Sequence, residues 1–334
     1  MYNSLENPGL LKVLTFLQTH NTEYLSGQDL SDVLKISRVA VWKHIKKIQE
    51  LGYTIESKQK LGYKLVANSE ELLPWEITKG LKTKLIGQRV YYYESLDSTQ
   101  NQALKITKDV NNDGILVVAA KQTRGKGRSG RRWVSPKGGI WVSIILFPKF
   151  DISITTLFPI ASSLALSYAI EKIFKISPEL KWPNDVTIKG KKVAGMLVDV
   201  SLESNKIESL VLGVGINFNI NTKEVKEKLK NTPNFYGVTT LTDKNKNQKA
   251  IKLIQSFLTE LEKIYYSLNK KRIEQIISEW TKRSSTIGKK IELETINGKI
   301  TGKAIKIDYD GALIISNNDK IERIIAGDIR HTSK

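Results

Sequence analysis

Residues 121–139, KQTRGKGRSGRRWVSPKGG, hold Lys121, Arg124, Lys126, Arg128, Arg131, Arg132 and Lys137 and no acidic residue. Gly125, Gly127, Gly130, Gly138 and Gly139 are spread among them. Glycines let backbone amides approach an anion, and arginines fork onto phosphate or carboxylate oxygens. The stretch therefore reads as a loop that folds around something small and negatively charged. The competing reading is a solvated basic hairpin. Gly125, Gly127 and Gly130 spell the dinucleotide fingerprint, which needs a helix directly after it to carry the pyrophosphate. Trp133, Pro136 and then a β-branched run follow instead, so we exclude that fold. No Walker loop occurs.

A second group of chemically able residues lies in KWPND (181–185) and KVAG (192–195). Lys181, Asn184 and Asp185 are polar groups in an apolar stretch, beside Trp182 and Pro183, which stiffen the backbone. A lysine and an aspartate on rigid strands, here Lys192 and Asp185, suit acyl chemistry; a lone surface charge is the alternative. Gly213 and Gly215 in GVGIN mark a place of close backbone approach. Asp97, Ser98 and Thr99 stand at a strand-to-helix junction, where they line a small polar pocket or simply cap the helix. The chain has no cysteine and only three histidines, His20, His44 and His331. Disulfides, thiol catalysis and cysteine-based zinc sites are excluded, and a histidine metal site or Ser–His triad is not expected.

The elements that must hold these groups follow from periodicity. The loop sits between two apolar runs, 114–120 and 139–147, that read as buried strands. Residues 152–176 read as a buried core helix, and 186–203 as a hairpin turning at 189–191. Another strand covers 209–220, and helices cover 222–231 and about 247–285, with a mobile segment between them. From Lys289 short alternating strands with turns at Asn297 and Gly298 and at Asp310 and Gly311 predict a small β-barrel of SH3-like size.

Residues 9–66 read as a separate unit: a helix over 9–20, a short helix capped by Ser26 that buries Leu30, Val33 and Leu34, and a third capped by Ser37. In that third helix Val41, Ile45 and Ile48 form the apolar side and leave Arg38, Trp42, Lys43, Lys46 and Lys47 elsewhere. Two strands carrying Lys58, Lys60 and Lys64 complete the order of a winged helix-turn-helix. Arg38 and Lys43 are the foremost candidates for DNA contact, and His44 for packing. The other use of such a module is protein contact. Polar residues 67–78, with Pro74, read as a linker.

The net charge of +19 suits a polyanionic or phosphate-bearing partner, although a bias toward Lys, Asn and Ile also raises it. The first residues lack the pattern of a secretory signal and no apolar run is long enough to span a membrane, so a cytoplasmic protein is expected.

Taken together, SRVAVWKHI (37–45), DST (97–99), QTRGKGRSGRRWVSP (122–136), KWPND, KVAG, GVGIN (213–217) and AGDI (326–329) resemble the bifunctional biotin–protein ligase and biotin operon repressor family over essentially the whole chain. The resemblance implies a multidomain α+β protein. Its parts are a winged helix-turn-helix over 1–66, a linker over 67–78, a central α/β ligase domain over 79–286 with a mixed sheet of the class II synthetase or biotin-ligase type, and an SH3-like β-barrel over 287–334.

It also implies biotin, ATP and Mg2+ as ligands. The biotin carboxylate attacks the α-phosphate to give biotinyl-5′-AMP, and a lysine of biotin carboxyl carrier protein then takes the biotin. The adenylate doubles as corepressor, favouring a homodimer that binds operator DNA of biotin genes. A ligand-sensing regulator without ligase activity and a lipoate ligase are the alternatives. Carried onto this chain, Ser98, Thr99, Gln100 and Gln122 line the biotin pocket, while Lys126, Gly127, Arg128 and Arg131 close over the acyl group and phosphates as a flap. Trp133 supports that loop or packs on the ligand, and Asn184, Gly215 and Asn217 complete the nucleotide side. Lys192, Asp185 and Arg128 are the implied catalytic groups, with Asp185 receiving the incoming lysine, and Ser37, Arg38, Trp42, Lys43, Lys46 and Lys47 the DNA-contacting ones. The family has Arg at Lys126 and Asn at Gln100, and places a nucleotide-stacking aromatic around 235–240.

Overall fold

A computed structural model describes residues 2–3, 8–232, 235–242, 248–295, 298–317 and 320–331. The chain forms two compact units, Tyr2–Leu73 and Pro74–Lys334.

The first unit contains the two-residue strand β1 (Tyr2–Asn3) and helices α1 (Pro8–Thr19), α2 (Gly27–Leu34) and α3 (Arg38–Glu50). Leu10, Val13, Leu14 and Leu17 recur at helical spacing and are the buried face of α1. Ser26 and Asp29 close a reciprocal capping box at the start of α2, and Ser37 accepts from the Ala40 amide at the start of α3. Val41, Ile45 and Ile48 are buried, while Arg38, Trp42, Lys43 and Lys46 are exposed. His44 is half-buried, and a β-carbon on Gly9 would lie 2.9 Å from its ring, so it is a packing residue between α1 and α3. Only Leu30 of α2 is fully buried and Leu34 is half-buried; Val33 is 56% exposed, contrary to expectation, because Leu30 and Leu34 four residues apart set the inward face and Val33 lies about 100° round from Leu34. Antiparallel strands β2 (Thr54–Lys58) and β3 (Gly62–Ala67) make the wing, where Lys58 and Lys64 lie over the Tyr24 ring.

The second unit opens with a short helix, α4 (Pro74–Thr78). The Gln255 amide donates to the carbonyls of Glu76, Ile77 and Lys79, so this end of the stretch read as linker is packed structure. Seven strands form a mixed sheet in the order β4-β5-β6-β10-β9-β8-β7. They are β4 (Val90–Leu96), β5 (Leu116–Gln122), β6 (Ile140–Leu146), β7 (Glu179–Lys181), β8 (Asp185–Ile188), β9 (Lys191–Glu203) and β10 (Lys206–Ile216). Only the β4–β5 pair is parallel. Every residue of β6 is buried, as a strand covered on both faces requires. Helix α5 (Thr99–Ile106) packs there through Ala103 against Ile115, Val117, Ile145 and Val211.

Helix α6 (Phe158–Phe174) is buried around nearly its whole circumference, against β9 and the long helix α8 (Gln248–Asn269). It begins later than its apolar run, after a 3-10 turn over Ile152–Thr155. The helical span near 247–285 is two helices, α8 and α9 (Ile273–Lys282), separated where Lys271 adopts φ 58°. Helix α7 (Thr222–Leu229) is capped by Asn221.

Residues 235–242 are not loose: Leu241 N donates to Asn217 O at 2.9 Å and Thr242 N to Phe218 O at 2.9 Å. The remaining part of the stretch read as mobile lies outside the described residues. Beyond α9, β11 (Lys290–Thr295), β12 (Gly298–Ile307), β13 (Leu313–Asn317), β14 (Lys320–Ile324) and β15 (Asp328–His331) form an antiparallel sheet ordered β14-β13-β12-β11-β15. The Asp310 and Gly311 turn is present, with φ 93° at Gly311, whereas Asn297 lies outside the described residues. Among the described residues no helix is long and apolar enough to cross a membrane.

Candidate active site

One cavity gathers all the ligand and catalytic candidates of the central unit: Ser98, Thr99, Gln100, Gln122, Lys126, Gly127, Arg128, Arg131, Trp133, Asn184, Asp185, Lys192, Gly215 and Asn217. They come from the β4–α5 junction, the β5–β6 loop and the hairpins on either side of β9. The six DNA candidates lie on the first unit, at the start of α3 and along it.

One wall is a neutral polar network. Ser98 is the N-cap of α5, accepting from the Gln100 amide at 3.2 Å. Asp97 is turned to Asn101, so capping accounts for it. Gln122 Oε1 accepts from the Thr99 amide at 2.7 Å, and Gln122 Nε2 donates to Ser135 Oγ at 2.8 Å. Ser143 Oγ lies 2.9 Å from both Thr99 Oγ1 and Gln100 Oε1, with one proton to share between them. Gln100 Nε2 is committed to Asp199 Oδ2 and Val211 O, both at 3.0 Å. The longer side chain thus spans to β9 and β10 over Gly213, where a β-carbon would come within 2.5 Å of its oxygen.

The basic loop is folded on itself. Gly127 N donates to Arg131 O at 2.7 Å and Trp133 N to Gly125 O at 2.9 Å, around a 3-10 turn over Arg128–Gly130. The fold sorts the cations. Lys126 and Arg132 are exposed at the rim, whereas Arg128 and Arg131 turn inward. Arg128 donates to Asn184 Oδ1 at 3.3 Å, and Arg131 is paired with Asp328 of β15. Burial lowers the Arg128 guanidinium from its usual value, opposed by the nearby Asp185 carboxylate. Trp133 packs across Gly195 and Gly215; a β-carbon on Gly215 would lie 2.6 Å from the indole, so only glycine admits the ring. The buried indole N–H, which lies against Gly215, has no hydrogen-bond partner.

The opposite wall centres on Asp185, which is 9% exposed. Its Oδ1 is 2.6 Å from Lys192 Nζ, and its Oδ2 accepts from the Tyr236 hydroxyl at 2.6 Å. Lys181 Nζ stands 3.5 Å from the centroid of the Tyr236 ring. Burial pulls the Lys181 ammonium down to about 8, against the raising effect of Asp185. Burial first, then Asp185, hold the Tyr236 phenol well above its ordinary value. Asn184 Nδ2 donates to Met196 O at 2.5 Å, and Asn217 Nδ2 to Lys192 O at 3.4 Å; both brace the strands carrying the charges. This wall presents several cations and one buried carboxylate, an arrangement suited to drawing two anions together and then receiving an ammonium.

Sequence reasoning expected an aromatic around 235–240 without choosing between Phe235 and Tyr236, gave Asp328 no role and left Lys181 without one; all four line the cavity. Asp328 had a signal, the AGDI segment. Tyr236 had only the expectation of an aromatic around 235–240, and nothing in that stretch of loop composition pointed to its contact with Asp185.

The residues of this chain match three families in order: a helix-turn-helix domain over 10–64, the biotin/lipoate A/B protein ligase family over 92–217, and the biotin protein ligase C-terminal domain over 286–331. The bifunctional ligase/repressor BirA of Bacillus subtilis is 35% identical over 94% of this chain and 95% of its own. That of Escherichia coli is 26% identical over 97% of both chains. The biotin protein ligase from Aquifex aeolicus, solved in complex with biotin and ATP, is 28% identical with a TM-score of 0.60, covering 73% of this chain and 99% of that one. With a helix-turn-helix, a mixed-sheet ligase domain and a C-terminal antiparallel β domain in that order, this chain belongs to the family of bifunctional biotin ligase/repressors.

Proposed function

We propose that the central cavity makes biotinyl-5′-AMP from biotin and ATP and passes the biotinyl group to a lysine of biotin carboxyl carrier protein. The observation that carries this is the concentration of Lys181, Lys192, Arg128 and Arg131 around one buried carboxylate, beside a neutral polar wall. In the first step a biotin carboxylate oxygen attacks the α-phosphorus and pyrophosphate departs. Lys192 and Arg128 offset the repulsion between the two anions. In the second step the amine nitrogen attacks the acyl carbon and AMP leaves with the bonding pair. Asp185 takes a proton from the incoming ammonium. Ser98, Thr99, Gln100 and Gln122 hold biotin, while Trp133, Asn184, Gly215 and Asn217 hold the nucleotide. Lys126, Gly127 and Arg131 close the loop over it.

Among the described residues no group of three or more His, Asp or Glu is placed to hold a metal ion. Mg2+ would enter on the ATP phosphates rather than on a protein cage, and would neutralise charge there. The working division assigns DNA binding to 1–66, a connection to 67–78, ligase chemistry to 79–286 and the closing β domain to 287–334. The adenylate complex pairs into a homodimer through the central sheet, and the dimer grips operator DNA with Ser37, Arg38, Trp42, Lys43, Lys46 and Lys47. Such a protein works in the cytoplasm.

The test is biotin-dependent exchange of labelled pyrophosphate into ATP. Lys192→Ala is expected to lose about 100-fold or more, the usual effect of removing a donor to developing charge. Full exchange by that variant would remove Lys192 from the mechanism, and exchange driven by lipoate but not biotin would transfer the assignment to a lipoate ligase.

A further inference from the structure

We propose that Tyr236 is a positioning residue for the transfer step, clamping the Asp185 carboxylate while keeping the Lys181 ammonium off it. This rests on the reading of Asp185 as the proton acceptor. A carboxylate that must receive a proton from an incoming ammonium needs one free oxygen and a fixed orientation. Here Oδ2 is hydrogen-bonded by the Tyr236 hydroxyl at 2.6 Å, whereas the buried Oδ1 has only the Lys192 ammonium 2.6 Å away, an ion pair without a hydrogen bond. The two partners differ in what they can do next. Lys192 has a flexible stem and a second claim on it, the acyl-phosphate oxygens, so it releases Oδ1 when the adenylate is present. The Tyr236 hydroxyl sits on a rigid ring and stays on Oδ2, which prevents the carboxylate from rotating away.

The ring face has a separate task. Lys181 Nζ lies 3.5 Å from its centroid, so the quadrupole holds a cation that would otherwise swing onto the vacated Oδ1. Backbone pairing fixes this arrangement: Lys192 N donates to Gly237 O at 3.2 Å and Thr239 N to Lys192 O at 2.9 Å. The segment bearing Tyr236 is thus tied to the residue that bears the departing partner. The phenol's raised pKa keeps it protonated as a donor.

In the assisted step, Oδ1 takes one proton from the acceptor ammonium, the C–N bond forms, and the acyl C–O bond to phosphate breaks with its electron pair leaving on AMP. The second N–H proton passes to the departing phosphate.

The experiment compares two nucleophiles on one preformed complex of the full chain with biotinyl-5′-AMP. One is a carrier-domain lysine, which arrives protonated. The other is hydroxylamine, which is largely unprotonated near neutrality and needs no base. For Tyr236→Phe the ratio of carrier transfer to hydroxylamine capture should fall about tenfold, since small misplacement of a catalytic group costs this much or more. Asp185→Asn should lower the same ratio further. A parent-like ratio in Tyr236→Phe, whether both rates are normal or both fall together, overturns the proposal, because a merely structural role slows both nucleophiles alike. A parent-like ratio in Asp185→Asn overturns the base assignment itself, and the clamp with it.

Discussion

Lys181 shows how much of the site's chemistry depends on burial. It is 5% exposed, and its ammonium is pulled from 10.5 to about 8 by burial, against Asp185 and with Lys192. Below about 8 the folded chain holds this proton at a cost. Between about 8 and 10.5 the unfolded chain binds more protons than the folded one, so the contribution of Lys181 to stability rises with pH across that window. Lys181→Met should therefore raise the melting temperature of the unliganded protein at pH 7 by roughly 2–4 °C. The advantage should shrink in melts taken toward pH 10. At this scale the sequence named the residue types well. The cavity joins Asp185 and Lys192, set on the paired strands β8 and β9, with Arg128 from the basic loop and the neutral polar wall from the β4–α5 junction, all of which the motifs had named. The sequence bracketed an aromatic around 235–240 but could not find the Tyr236 contact with Asp185, a hydrogen bond that bridges 51 residues and leaves no local periodicity.

Elements were legible wherever apolar residues repeat. The buried run of α6 and the strands flanking the basic loop read directly from the chain, as did the capped helices of the first unit. What periodicity does not encode is where a helix is interrupted or what a loop is fastened to. The break between α8 and α9 rests on the left-handed Lys271, and residues 235–242 are held by Lys192 of β9 and by Asn217 and Phe218 just after β10.

A second long-range fastening gives a stability test. Glu262 of α8 is buried and accepts from three consecutive amides, Lys84 at 2.7 Å, Leu85 at 2.8 Å and Ile86 at 2.9 Å. Glu262→Ala leaves those donors without an acceptor and should cost about 2–4 kcal/mol. Urea unfolding should show this as a lowered midpoint with an unchanged slope.

At the scale of the molecule, the surplus of positive charge has two uses. Inward-turned arginines and lysines serve the cavity, and the exposed Arg38, Lys43 and Lys46 of α3 suit a phosphate backbone. Arg38→Ala and Lys43→Ala should each weaken binding to the chain's own biotin-gene promoter in the presence of adenylate. Each should also reduce the dependence of log affinity on log salt by about one where the contact is to phosphate, measurable by anisotropy across a salt series. The overall order of units was legible because each carries its own periodic signature. The total charge alone did not separate these two uses; only the placement of each cation does.

Transfer of biotin to a carrier lysine can be read from one incubation. The purified chain, biotin, Mg·ATP and a biotin carboxyl carrier domain are combined, and the carrier is weighed intact. The carrier is expected to gain one biotinyl group, a gain that needs both biotin and ATP and disappears when the acceptor lysine of the carrier is replaced. An unmodified carrier, with the chain shown to be folded and both substrates present, would contradict it.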